Sequence, residues 1–395
     1  MKIIFVNYTM QMGGIATSLI NLIQNLSKSV DFEIHLLLLN SSEKDIEKFP
    51  PSTKILKTPF LLRINNYSRN QINKKTRFYE VFLYYFLRIN AKIFGKERIC
   101  KIVSLLSKVD GDYDIAISFA NDIFIKSNST CGPNHAVLFS INSNKKIGWI
   151  HNDPNRLGLN NKLANKIYQR FDRIINVSYE IKKMFDDIFP RYKQKSYVVY
   201  NLYNSETLSK AVNHPNPYSS NVFNIVTVAR LQNEQKRIDR IIEICSYIKM
   251  AGNYDFKWYL IGDGPDSDLL KQQAKLKNIE DVLVFCGKKE NPYPFIYYAN
   301  IFVQTSDYEA YSMVLIESIT LKTPIICTNY PSAKEIIIDG ENGFLVDLDT
   351  ISIANKIINL MEDATLLKSL RSSMLLNNND SNLYAIQQFY ASISF

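Results

Sequence analysis

Apolar residues recur along this chain in short runs bounded by polar or glycine-containing turns. Longer stretches with helical spacing separate those runs, which predicts alternating strands and helices from end to end. Residues 3–6 read as a first strand, followed by a Gly13-Gly14 turn and a helix from about 16 to 26; residues 34–39 read as a second strand. Further strands are expected at 114–119, 146–151, 173–177 and 197–200. The polar stretch 205–220, with Pro215 and Pro217, reads as a connection, and a fresh series opens near Val222. Its strands are expected near 222–229, 256–261, 282–285, 300–304 and 324–328, with helices between. Alternation twice over predicts an α/β chain of two parallel-sheet domains facing a central cleft. The expected bounds are 1–204 and 205–379, with an amphipathic helix at 380–395.

Composition narrows this picture. With 395 residues the chain can fill two separate cores. Its five cysteines, Cys100, Cys131, Cys245, Cys286 and Cys327, are scattered and never spaced as CxxC, which points to a reducing compartment and against a disulfide framework or zinc knuckle. The apolar run at the start is too short for a signal peptide, and no stretch approaches the roughly 20 apolar residues that span a bilayer. A cytoplasmic protein without an integral anchor is expected.

Charge changes the picture at one place. Residues 60–108 hold eleven Lys or Arg, among them Lys74, Lys75, Arg88 and Lys96, against Glu80 and Glu97, a local +9 that equals the formal charge of the whole chain. Phe78, Tyr79, Phe82, Tyr84, Tyr85, Phe86 and Phe94 are interleaved, many at helical spacing. Such a stretch either lies on an anionic membrane surface or is a helix with its apolar side in the core and a solvated basic face. Nucleic acid is not expected, since no recognised binding module accompanies the charge.

The candidate chemistry gathers in the second half. Glu309 and Glu317 stand eight positions apart across an uncharged stretch. On a helix that spacing would put both carboxylates on nearly one face, the first at a strand-to-helix junction. Two surface carboxylates on an amphipathic helix would look the same. Arg230 follows the strand near 222–229 and Lys236 comes six residues later, two cations suited to clamp a diphosphate near a helix N-terminus. Gly262-Asp263-Gly264-Pro265 forms a tight turn that either approaches a ligand or serves the fold. In the first half, backbone N–H groups near Gly13 and Gly14 are placed to face a phosphate. The turn is not GxGxxG, and Asn40 stands where a dinucleotide fold would carry an acid.

In order and spacing these residues resemble the family-4 retaining glycosyltransferases of two-domain GT-B architecture, bacterial surface-polysaccharide type. Arg230 with Lys236, the Gly262–Gly264 turn, Glu309 with Glu317, Pro324, Glu335 and Asn342-Gly343 carry the likeness, joined by Gly13-Gly14, Trp149-Ile150-His151, Val177-Ser178 and Tyr200-Asn201. The resemblance implies that Glu317 binds the ribose of a nucleotide-sugar and Glu309 the hydroxyls of the donated sugar. Arg230 and Lys236 would hold the diphosphate, helped by backbone amides near Gly14, Val314 and Leu315. His151 would lie beside the donor sugar, and closure of the domains would assemble the site. By the same resemblance the C-terminal helix crosses back to the first domain. With Arg230 and Lys236 to neutralise the phosphates, no cofactor or metal is expected to be required. The Asp112/Asp114, Asp266/Asp268 and Asp347/Asp349 pairs are then decoys of a metal-binding DxD. Tyr311, in place of the glycine- and phenylalanine-containing version common in that family, bears on the sugar pocket. Partners implied are a UDP-linked donor and a saccharide or lipid-linked acceptor. Two other readings are a GT-B nucleotide-sugar epimerase, for which no added acid/base groups are found, and a catalytically silent GT-B subunit that stabilises a partner transferase.

Overall fold

A computed structural model describes residues 1–10, 13–40, 43–73, 77–122, 132–218, 222–376 and 381–395. Lys74, Lys75, Cys131, residues 219–220 of the expected connection and the expected junction at 379–380 lie outside them. The chain divides into two compact units, Met1–Leu202 with Asn382–Phe395, and Tyr203–Ser381.

The first unit is built on β1 (Lys2–Asn7), β2 (Glu33–Leu38), β3 (Lys54–Leu56), β4 (Val109–Ser118), β5 (Ile141–Ile150), β6 (Arg173–Asn176) and β7 (Ser196–Val198). They form one sheet in the order β3-β2-β1-β4-β5-β6-β7, every ladder parallel. Ile3, Ile4, Phe5 and Val6 of β1 are all fully buried, because helices cover both faces of a parallel sheet. One of them, Gly14–Leu26, buries Leu19, Leu22, Ile23 and Leu26 at three- and four-residue spacing.

The second unit repeats the plan with β8 (Phe223–Val228), β9 (Phe256–Ile261), β10 (Leu283–Gly287), β11 (Ile301–Gln304), β12 (Ile325–Thr328) and β13 (Gly343–Val346). The order is β10-β9-β8-β11-β12-β13, again parallel throughout. In each sheet the first strand has one crossover on either side. The crevices at the carboxyl ends of β1/β4 and β8/β11 are therefore the switch points where doubly wound sheets bind ligands. The short edge strands β3 and β13 were not expected, since runs of three or four residues leave no periodic signal. The 205–220 stretch is also more than a connection. It contains a helix at Ser205–Ser209, and Tyr218 is buried with its hydroxyl donating to Phe295 O at 2.5 Å.

Residues 60–108 have a covered side and an outward apolar one. Helix Phe78–Phe94 buries Tyr84 against Ile64, Tyr67 and Ile72, yet turns Phe82 and Phe86 outward. Buried Glu80 sits 3.9 Å from the Arg63 guanidinium. The C-terminal helix, Ser381–Ile393, belongs to the first unit: buried Phe389 stacks on Trp149, and Arg173 donates to Ala391 O at 3.0 Å.

Candidate functional site

At the carboxyl end of β8 the chain passes through exposed Arg230, then the short helix Asn233–Lys236. It reverses at Arg237, whose φ of 48° is the left-handed region that a non-glycine residue occupies at a cost. Two carboxylates hold it there. The Arg237 guanidinium donates to Asp239 at 2.9 Å and to Asp307 at 3.1 Å, and these contacts, Asp239 foremost, raise its pKa. Arg240 adds an ion pair to Asp307 at 2.6 Å and a hydrogen bond to Thr305 O at 2.9 Å. The β11 loop is thereby tied to the β8 loop across the switch point.

Glu309 sits on that β11 loop, and its carboxylate forms an ion pair with Lys236 Nζ. Gln235 Nε2 donates to it at 2.9 Å and Ser306 Oγ at 2.8 Å, while Ser332 Oγ donates to its backbone carbonyl at 2.7 Å. The result is a part-buried carboxylate fixed before any ligand arrives. One expectation needs correcting here. The helix begins only at Met313, after Ser312 in extended conformation, so Glu309 precedes it and shares no helical face with Glu317. The loop stays out of the helix because Asp307 N–H is bonded to Gln235 O at 2.9 Å and the Ser332 bond holds Glu309 O.

Glu317 lies within helix Met313–Thr320 and is buried. Burial pushes its carboxyl up to about 8, against a 3.4 Å hydrogen bond from the Tyr293 hydroxyl. Ser312 does not cap this helix, because its hydroxyl accepts from Gln304 Nε2 at 2.9 Å. The first-turn amides, Val314 and Leu315 among them, have no acceptor within the helix itself, a geometry suited to anions. Beneath them, Tyr330 OH donates to Gln304 Oε1 at 2.6 Å, which fixes the loop's floor.

Gly262 has a structural duty that its sequence left open. A Cβ there would meet Ala229 O at 1.8 Å, and one at Gly264 would meet Leu231 O at 2.3 Å. Leu231 N–H donates to Asp263 O at 3.1 Å, and Asp266 accepts from Asn233 N–H at 2.7 Å. The glycine turn thus braces the segment that carries Arg230. The aspartate pairs are similarly engaged: Asp114 accepts from Lys2 N–H at 2.7 Å, and Asp349 caps its helix through Ser352 N–H at 2.8 Å.

In the first unit, Gly13 precedes helix Gly14–Leu26 in extended conformation, and a Cβ at Gly14 would meet nothing within 4 Å. The chain's own packing therefore makes no demand for glycine at Gly14. His151 follows β5, buried against Phe119 with ring centroids 4.5 Å apart and stacked on Trp149. Burial pushes its imidazole down to about 3, so it is neutral at ordinary pH, and among the described residues its buried Nε2 has no hydrogen-bond partner. Lys236 and Glu309 are thus in direct contact, and Gly262 braces the Arg230 segment. Glu317 stands apart from that ion pair with Tyr293, and Gly13, Gly14 and His151 belong to the other unit.

The sequence did not single out Gln235, Ser306, Ser332, Asp307 or Tyr293. Only the adjacency of Gln235 to Lys236 and of Ser306 and Asp307 to Glu309 could have drawn notice. A buried pair elsewhere was also missed: His135 Nδ1 lies 3.1 Å from Asp122, and its carboxylate neighbours, overcoming burial, raise His135 to about 10.

Comparison with known proteins bears on this arrangement. Residues 214–374 match the family of glycosyl transferases group 1. N-acetyl-alpha-D-glucosaminyl L-malate synthase of Bacillus anthracis is 29% identical over 136 residues, 34% of this chain and about a third, 35%, of that protein. The Campylobacter jejuni N-acetylgalactosamine-N,N'-diacetylbacillosaminyl-diphospho-undecaprenol 4-alpha-N-acetylgalactosaminyltransferase is 24% identical over 370 residues, 92% of this chain and 91% of that one. Anabaena Alr3699/HepE, solved in complex with UDP-glucose, shares the fold at 16% identity with a TM-score of 0.70, covering 100% of both chains. Two parallel-sheet units thus give the chain the GT-B fold, and its second unit resembles glycosyl transferases group 1.

Proposed function

We propose that this chain is a retaining hexosyltransferase that moves a hexose or N-acetylhexosamine from a nucleotide-diphospho-sugar, UDP-linked, to a saccharide or lipid-linked acceptor. It would act in capsular, exo- or lipopolysaccharide assembly on the cytoplasmic side, as a peripheral protein of the membrane surface. The observation that carries this reading is the Glu309 carboxylate held by Lys236, Gln235 and Ser306 at the β8/β11 switch point. A carboxylate so fixed suits the hydroxyls of a sugar, and the cation beside it suits a diphosphate. In this reading Arg230 and Lys236 hold the leaving diphosphate and meet the charge that develops as the glycosidic bond breaks. Amides at Val314 and Leu315 add donors, and Glu317 takes the ribose hydroxyls. Preorganised cations make a divalent metal unnecessary, so the reaction is metal-independent. His151, just past β5, is the first unit's candidate neighbour of the donor sugar.

A relative named for transfer to a diphospho-undecaprenol-linked sugar and a structural neighbour bound to UDP-glucose support the donor and acceptor classes. The test is a donor screen: UDP-glucose, UDP-galactose, their N-acetyl forms and GDP-mannose, with nucleotide release followed with and without EDTA. One UDP-sugar should be hydrolysed slowly, unaffected by EDTA, and Glu309→Gln and Lys236→Ala should each lower the rate about 100-fold or more. Wild-type turnover by both variants would sink the assignment, and absence of nucleotide binding by calorimetry would leave the silent-subunit reading.

A further inference from the structure

Gln304 ends β11 and is only 5% exposed, an amide side chain buried at the carboxyl edge of the sheet. Its Oε1 accepts from Tyr330 OH at 2.6 Å and from Cys327 Sγ at 3.5 Å, so β12 and the segment after it hold the amide from one end. From the other end Nε2 donates to Ser312 Oγ at 2.9 Å. Thr328 Oγ1 ties the same floor to Gln304 O at 3.4 Å. A buried amide demands partners of this kind, whereas a Met or Leu would fill the strand end without them. What the amide holds is therefore informative, and it holds Ser312.

Ser312 stands just before helix Met313–Thr320 with φ −80° and ψ 107°, the extended backbone from which a serine hydroxyl accepts the second or third amide of a helix. Those amides belong to Val314 and Leu315. Elsewhere in this chain the same backbone gives that bond. Ser178 accepts from Ile181 N–H at 3.2 Å, Asn204 from Thr207 N–H at 2.8 Å and Asp349 from Ser352 N–H at 2.8 Å. Ser312 makes no such bond, because its hydroxyl is drawn down to Gln304.

We propose that Gln304 is a positioning residue: it withholds the Ser312 hydroxyl from its own helix and so keeps the Val314 and Leu315 amides open for an anionic ligand. Ser312 is then a competitor for those amides, held off from below. That the ligand is the diphosphate of a nucleotide-sugar rests on the transferase reading above; the competition between hydroxyl and ligand does not. The two are tested separately, on the full-length protein. Gln304→Met/Tyr330→Phe removes both partners of the buried bond at once and leaves no orphaned phenol. Without ligand, hydrogen exchange at Val314 or Leu315 should slow about fivefold or more as Ser312 turns to cap the helix, and adding Ser312→Ala should reverse this. Calorimetry with UDP should show binding about fivefold weaker in the paired variant. The triple variant should return to the affinity of Ser312→Ala alone. If the paired variant does not fold, Gln304→Met by itself carries the same comparison. Unchanged exchange at both amides overturns the proposal. So does a loss of UDP affinity that Ser312→Ala leaves in place, because a floor that is merely disturbed is not rescued by deleting a hydroxyl. Absence of UDP binding by the wild type would sink the transferase reading instead, while exchange at the two amides still decides this one.

Discussion

At the scale of single residues, Glu317 and Glu309 show how one side-chain type takes two states from its surroundings. Glu309 is met by a cation and two donors, whereas Glu317 is buried with one weak donor and its carboxyl rises from 4.5 to about 8. Between those two values the native state keeps a proton that the unfolded chain has lost. Stability therefore falls as pH rises through that window and levels off above it. Glu317→Gln, which does not titrate, should flatten this profile. At pH 8 or above it should melt higher by about 2–4 °C for each kcal/mol gained, as read by thermal unfolding at several pH values. The positions of these residues were legible in the sequence, since a strand, two acids and a proline in order leave few alternatives. Their states were not. Lys236 meets Glu309 across 73 positions, and the left-handed Arg237 and its Asp307 anchor answer to tertiary contacts that no local pattern encodes.

At the scale of elements, the Gly262–Gly264 turn is a brace for the β8 loop. Gly262→Ala would drive its Cβ into Ala229 O from a backbone with φ 142°, so the loop must move. We expect a loss of about 2–4 kcal/mol in urea denaturation and a raised KM for the donor, as Arg230 shifts with the loop. The same scale explains which strands were readable. Long fully buried runs such as β1 and β9 announce themselves, while β3 and β13 exist only because a neighbour offers an edge. The helix at 78–94 was readable as a helix, but its outward aromatic face was not, because periodicity shows a stripe without saying which side is covered.

At the scale of the molecule, each unit has its own sheet and core, so unfolding is not a single two-state event. Phe389 is fully buried against Trp149 in the first unit. Phe389→Ala should cost that unit about 3–5 kcal/mol. In calorimetry the first unit's transition should move down while that of Tyr203–Ser381 stays; a uniform shift would contradict independent cores.

The first unit is discontinuous, its last helix following the whole of the second in the chain. On the ribosome this reverses the usual order of completion. The nascent first sheet must wait with the Phe389-covered side of Trp149 open while Tyr203–Ser381 is synthesised and closes, and only then does Phe389 emerge to seal it. The part made first is finished last, and a chaperone acting on this protein would find its client surface at that unsealed tryptophan.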